Sequence, residues 1–206
     1  MKKRKFSFTS DRSIRMALRA KLKKTFDADP QSKIIEEMGI AQGEARVDIA
    51  VVNETIHGYE LKSDLDTLRR LPEQMRIYNS VLDQVTLVVG KNHLFDAINI
   101  IPDWWGVTIA KVTDSKDTIL FCNIRDADEN PQKDSIAIAS LLWRKEALEL
   151  LEKKGAAEGV RSKSRRVLYE RLAKALDQNE LRAKVREYLF ARKGWRSDLP
   201  LVTNGG

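Results

Sequence analysis

The chain has 206 residues, 42% of them hydrophobic, with 37 Lys and Arg against 30 Asp and Glu and a net charge of +7. That length suits one core domain plus an appendage, and a single cysteine, Cys122, excludes both an intramolecular disulfide framework and a cysteine-based zinc site. No apolar run nears the roughly 18 residues that span a membrane, and Lys2-Lys3-Arg4-Lys5 precedes no apolar stretch that would make a secretory signal.

The expected location is therefore the cytoplasm, with no membrane partner. Beginning at Met1, the chain reads as a complete product. The charge is uneven. Residues 1–24 hold ten Lys/Arg and one acid, for +9; residues 134–206 carry +6; the stretch between is left at −8. Two basic ends around an acidic centre suit a metal site between phosphate-binding surfaces, with two solvated helices as the alternative.

In chain order, residues 11–26 read as an amphipathic helix, with Ile14, Ala17, Leu18, Leu22 and Phe26 on one stripe, Arg12, Arg15, Arg19, Lys21, Lys23 and Lys24 around it, and Ser10 or Asp11 as cap. Ser32–Met38 is expected as a second short helix before a turn at Gly39–Gly43. Arg46–Asn53 (RVDIAVVN) and Ile56–Lys62 (IHGYELK) read as a strand hairpin. Asp64–Asp83 is mostly helical, restarting at Pro72. Gln84–Gly90 (QVTLVVG) is nearly all apolar, as expected of a strand covered on both faces. His93–Ile101 is a further helix. Gly106–Thr113 and Thr118–Ile124 form a closing strand pair, with Cys122 as a buried strand thiol. The polar stretch 126–134 (DADENPQKD) marks a boundary. Beyond it Ser135–Lys153, Lys163–Ala175 and Asn179–Lys193 are expected as three helices. The fold class is α/β: a mixed sheet flanked by helices over residues 1–125, followed by a basic helical C-terminal segment over residues 134–198.

Asp48 stands inside an apolar strand, where an uncompensated carboxylate is costly. Strand alternation puts Asp48, Ala50 and Val52 on one face and Val47, Ile49 and Val51 on the other. Glu60 and Lys62, two apart, share a face of the next strand. A suitable register brings the three polar groups together. Two carboxylates and an amine at one point would hold Mg²⁺ or Mn²⁺ and activate a water against phosphorus. The same triplet is also satisfied by structural salt bridges, Asp48 with Lys62 and Glu60 with Arg46. Four residues apart on the following helix stand Gln74 and Tyr78.

This order, an Asp in one strand, ExK in the next and QxxxY on a helix, resembles the PD-(D/E)xK nucleases, in particular their RecB- and Cas4-like branch. GEARVDIAVVNETIHGYELKSDLDTLRRLPEQMRIYNSVLDQVTLVVG is also similar to a group of bacterial proteins predicted to be nucleases of this superfamily. The resemblance implies a restriction-endonuclease-like sheet and a metal-dependent nuclease acting on DNA, in defence against foreign DNA or in repair. It makes Asp48 and Glu60 metal ligands, Lys62 the catalytic lysine, Gln74 an orienting group and Tyr78 a supporting one. Members of the superfamily often supply another acid from a helix before the hairpin; of Glu36 and Glu37, Glu37 is the preferred further ligand, with Glu44 its rival. Asp64 is expected as a helix cap, a role Ser63 could share.

His57 is expected to pack on the hairpin and His93 to start a helix. Trp104, Trp105, Trp143 and Trp195 are assigned to core rather than base stacking. Arg161, Lys163, Arg165, Arg166 and Arg171 are the candidate phosphate contacts. The alternatives are a non-catalytic nucleic-acid-binding module and an adaptor whose C-terminal helices bind a protein. A homodimer would suit cutting two strands.

Overall fold

A computed structural model describes residues 8–113 and 118–192. Trp195, Lys193 and the basic residues 2–5 lie outside the described residues. The described chain is α/β, with a six-stranded mixed sheet in sequence order and seven helices. The strands are β1 (Lys33–Ile40), β2 (Ala45–Val52), β3 (Ile56–Lys62), β4 (Gln84–Gly90), β5 (Gly106–Val112) and β6 (Ile119–Arg125). The helices are α1 (Asp11–Phe26), α2 (Leu71–Val81), α3 (Leu94–Ile100), α4 (Ser135–Ala139), α5 (Arg144–Lys153), α6 (Arg165–Ala175) and α7 (Gln178–Ala191).

β1–β2–β3 is an antiparallel meander, β3–β4–β5 is parallel through α2 and α3, and β6 returns antiparallel on β5. Both crossover helices cover the same face of the sheet. Their buried Tyr78, Ile77, Leu71 and Ala97 join Ala50, Leu87, Val89 and Val107 in one core cluster. On the opposite face α1 alone lays Ile14, Leu18 and Leu22 over Ile49, Val51, Leu61, Val88 and Ala110. β4 is thus covered on both sides, which is why its sequence is apolar at successive positions.

Several expectations change. Residues 33–40 are a strand, not the helix expected over Ser32–Met38. Isolated KIIEEMGI has no decisive period, and pairing along β2, from Lys33↔Val52 to Ile40↔Ala45, decides it. Gly39 accordingly belongs to that strand, and the turn is a single 3₁₀ turn at Ala41–Gly43. Asp64–Arg70 is not helical; α2 begins at Leu71 with Pro72 in its first turn. The helix expected over Ser135–Lys153 is two, broken before Trp143, whose extended backbone caps α5. Cys122 is half-buried on the outermost strand. Trp104 and Trp105 are core as expected, whereas Trp143 is 38% exposed.

The C-terminal helices share the core of the sheet. Ile138, Leu142, Leu151, Leu168, Leu172, Val185 and Leu189 cluster with Val47, Leu87 and Tyr78. Two polar ties fix them there. Asp83, 2% exposed, accepts from Ile56 N at 2.8 Å and pairs Arg182 of α7 at 2.6 Å. Lys33 of β1 donates to the α7 carbonyl of Phe190 at 2.8 Å and to that of Arg192. No helix among the described residues is long and apolar enough to cross a membrane.

Candidate functional site

The antiparallel pairing of β2 with β3 ends at Ile49↔Tyr59. Beyond it the strands part, and Asp48 fills the gap. Its Oδ2 accepts from Leu61 N at 2.8 Å and its Oδ1 from Arg15 at 2.7 Å. The simple alternation expected for β2 fails here: Val47 joins Ala50 and Val52 on the α2 side, while Ile49 and Val51 face α1. The neighbouring strand is irregular at the same level. Glu37, the preferred third ligand, lies on β1 rather than on the short helix expected over Ser32–Met38 and has a left-handed φ of 53°. It pairs Arg15 at 2.7 Å and Arg46 at 3.5 Å.

Glu60 and Lys62 point from β3 toward α2. Lys62 Nζ donates to Glu60 Oε1 at 2.5 Å and to Gln74 Oε1 at 3.1 Å. Gln74 Nε2 donates to the same Glu60 oxygen at 2.7 Å. Tyr78 OH stands 2.6 Å from Glu60 Oε2 and 2.7 Å from the Arg46 carbonyl. The Tyr78 hydroxyl thus lies within donating distance of both acceptors, with one proton to share between them. Burial of Glu60 and the nearby Asp48 charge raise its carboxyl above the ordinary range, while Lys62 and Tyr78 pull the other way. Burial, with Glu60 adjacent, likewise raises the Tyr78 phenol.

Asp48, Glu60, Lys62, Gln74, Glu37 and Glu44 all line one cavity of about 420 Å³, which also receives Arg46 and Arg70. The sequence therefore anticipated which side chains meet. It missed how they are held. Arg15 is the hub, bonding Asp11, Glu37 and Asp48 together. Burial lowers the Arg15 pKa, but Asp11 and Asp48 more than offset it and hold the guanidinium charged. Its signal was the Asp11–Arg15 spacing of four next to Ile14 on the α1 stripe, which seats the arginine stem at the sheet.

The salt-bridge alternative is realised with different partners. Asp48 pairs Arg15 rather than Lys62, and Glu60 pairs Lys62 rather than Arg46. Each carboxylate proposed for Mg²⁺ or Mn²⁺ thus already has a cation on it. Among the described residues no group of three or more His, Cys, Asp or Glu could hold a metal ion. With Arg15 and Lys62 seated on them, these carboxylates are engaged by side-chain cations at the positions a metal would take.

Of the other candidates, Asp64 caps no helix. It accepts from Thr9 N, Thr9 Oγ1 and Asn92 N, and Ser63 instead bonds Asp66. His57 packs on the hairpin, stacked on Tyr59 and 2.8 Å from Thr86 Oγ1, and His93 precedes α3. Arg161, Lys163, Arg165, Arg166 and Arg171 are all exposed. Two of them have acid partners, Arg161 with Glu152 and Arg166 with Glu170. Arg165 lines a second cavity that shares Glu37, Gly43 and Arg46 with the first.

The family model for bacteriophage P4 protein cII matches residues 5–201, nearly the whole chain. The chain belongs to the bacteriophage P4 cII protein family. Protein cII of Enterobacteria phage P4 is 42% identical over 55 residues, which is 27% of this chain and 21% of that protein. The aligned part thus spans about a fifth of the curated relative. No solved structure matches.

Membership in the cII family overturns the assignment to PD-(D/E)xK nucleases. It also overturns the reading as a metal-dependent nuclease and hydrolase, since the family that matches is that of phage P4 protein cII. The D…ExK…QxxxY spacing that suggested catalysis is met by a buried ion-pair network. The same residue types neutralise one another at the same spacing.

Proposed function

We propose that this cII-family chain binds nucleic acid through its phosphate backbone and leaves it uncut. One observation carries the reading. Two adjoining cavities receive Arg46 from β2, Arg70 from the residue before α2 and Arg165 from the start of α6; of the acids around them, Asp11, Asp48 and Glu37 are held by Arg15 and Glu60 by Lys62, while Glu44, Asp66 and Glu73 also line the larger cavity. Internal pairing lowers the repulsion that an acidic cluster would exert on phosphates, and arginine suits bidentate phosphate contact. The exposed basic residues of α1, Arg12, Lys23 and Lys24 among them, extend the cationic surface.

DNA is the favoured partner on this reading, with few base contacts, and the cytoplasm is the compartment proposed with it. The sheet order of antiparallel, parallel and antiparallel pairs is in keeping with a restriction-endonuclease-like scaffold without its hydrolytic role.

The test is fluorescence anisotropy with labelled single- and double-stranded DNA and RNA across a salt series, with the same mixtures run on a gel after incubation with Mg²⁺. Binding that weakens log-linearly with salt, with intact strands, is the expected result. No binding at low salt sinks the proposal. Cleavage products abolished by a chelator overturn its non-hydrolytic half.

A further inference from the structure

We propose that the smaller cavity is a phosphate pocket that receives the phosphorylated end of a nucleic-acid strand; this rests on the backbone-binding reading. The cavity measures about 160 Å³ and opens beside the larger one. Pockets for drug-sized ligands run to roughly 300–1,000 Å³, so this volume holds a phosphate group and not the base and sugar attached to it. A strand running straight through would need room for sugars on both sides of the phosphate. A terminal phosphate needs room on one side only, and the adjoining cavity supplies it.

Arginines meet at this cavity, and its one acid, Glu37, is held by Arg15 at 2.7 Å. Arg46 enters from β2 and Arg165 from α6. Arg46 meets Glu37 only at 3.5 Å, and among the described residues Arg165 has no acid partner. Arg165 also opens a helix whose first turn has arginine at both 165 and 166 and no acidic residue, with no side-chain cap from Ser164. Cations at a helix N-terminus oppose the helix dipole, and a bound phosphate removes that conflict while accepting hydrogen bonds from both guanidinium groups. Gln42 and Gly43 of the β1–β2 turn also line the cavity.

Binding of a short single-stranded DNA is measured with a 5′-phosphate, with a 3′-phosphate and with neither. The wild type is expected to bind one phosphorylated form on the order of tenfold tighter than the bare strand, as a charge-assisted pair provides. In Arg165→Gln that ratio falls to about one, with an unchanged melting temperature confirming the fold. Equal wild-type affinities for all three strands overturn the terminal-phosphate assignment while leaving backbone binding intact. Failure of every strand to bind overturns the backbone reading with it. Inorganic phosphate and a mononucleotide serve as competitors. Weak displacement by both is expected, and a mononucleotide binding as tightly as the phosphorylated strand overturns the assignment in favour of a free-nucleotide site.

Discussion

Glu60 and Lys62 are 1% and 7% exposed in their side chains, so each charge depends on the other to offset its burial. Removing the lysine alone should be worse than removing the acid. Lys62→Met leaves an ionised carboxylate in the core and should cost about 3–5 kcal/mol, whereas Glu60→Gln keeps a neutral acceptor for Gln74 and Tyr78. The sign with pH follows from the raised Glu60 pKa. Its folded state favours the protonated acid, so this stabilisation is present at low pH and is lost as pH rises from the ordinary value of 4.5 through the raised one. Urea unfolding of Lys62→Met should therefore show a deficit that is large at pH 8 and shrinks toward pH 5. A variant as stable as wild type at pH 8 would remove the ion pair from the account.

His57 acts in the opposite direction. Burial lowers its pKa from 6.5 to about 4, so the fold holds it neutral. Its contribution is complete above pH 6.5 and is lost as pH falls toward 4. His57 keeps some exposure, which limits the effect to on the order of 1–2 kcal/mol. His57→Gln should flatten the acid side of the stability curve between those pH values, and an unchanged acid limb in that variant would show that another group titrates there.

At the scale of elements, the close approach that shapes the cleft's neighbourhood is made at Gly90, the last residue of β4. A Cβ there would lie 2.6 Å from both the Asp64 backbone nitrogen and its Oδ1. Asp64 is pinned by Thr9 and Asn92, so it cannot yield cheaply. Gly90→Ala should destabilise by about 1–3 kcal/mol, measurable as a lower urea midpoint with an unchanged slope. Equal midpoints would mean the Thr9–Asp64 node is loose. The strand β1 makes a different point. Its own residues do not settle helix against strand, and the partner β2 settles it by supplying seven paired positions.

For the whole molecule, the sheet and the C-terminal helices share one hydrophobic core, in which Leu142, Leu168 and Val185 cluster with Leu87 and Tyr78, and are therefore expected to unfold together. Deleting residues 134–192 uncovers that face and breaks the Asp83–Arg182 pair. The shortened chain should lose its cooperative melting transition, while the full chain melts in one step by calorimetry. A truncated chain with a sharp transition of its own would divide the protein into independent halves.

The sequence by itself determined the strands with unambiguous periods, β3 and β4 at their observed bounds, because alternation and unbroken apolar runs are local signals. It also brought Asp48, Glu60, Lys62, Gln74 and Tyr78 to one place, since strand pairing and a helical spacing of four leave few alternatives. Only the tertiary structure decided what those groups do to one another. Arg15 arrives from a helix on the opposite face, and Glu37 from a strand whose identity depends on its neighbour. A carboxylate's partner is set by which cation lies within a few ångströms, and that distance is a property of the packed fold, which the order of residues along the chain does not specify.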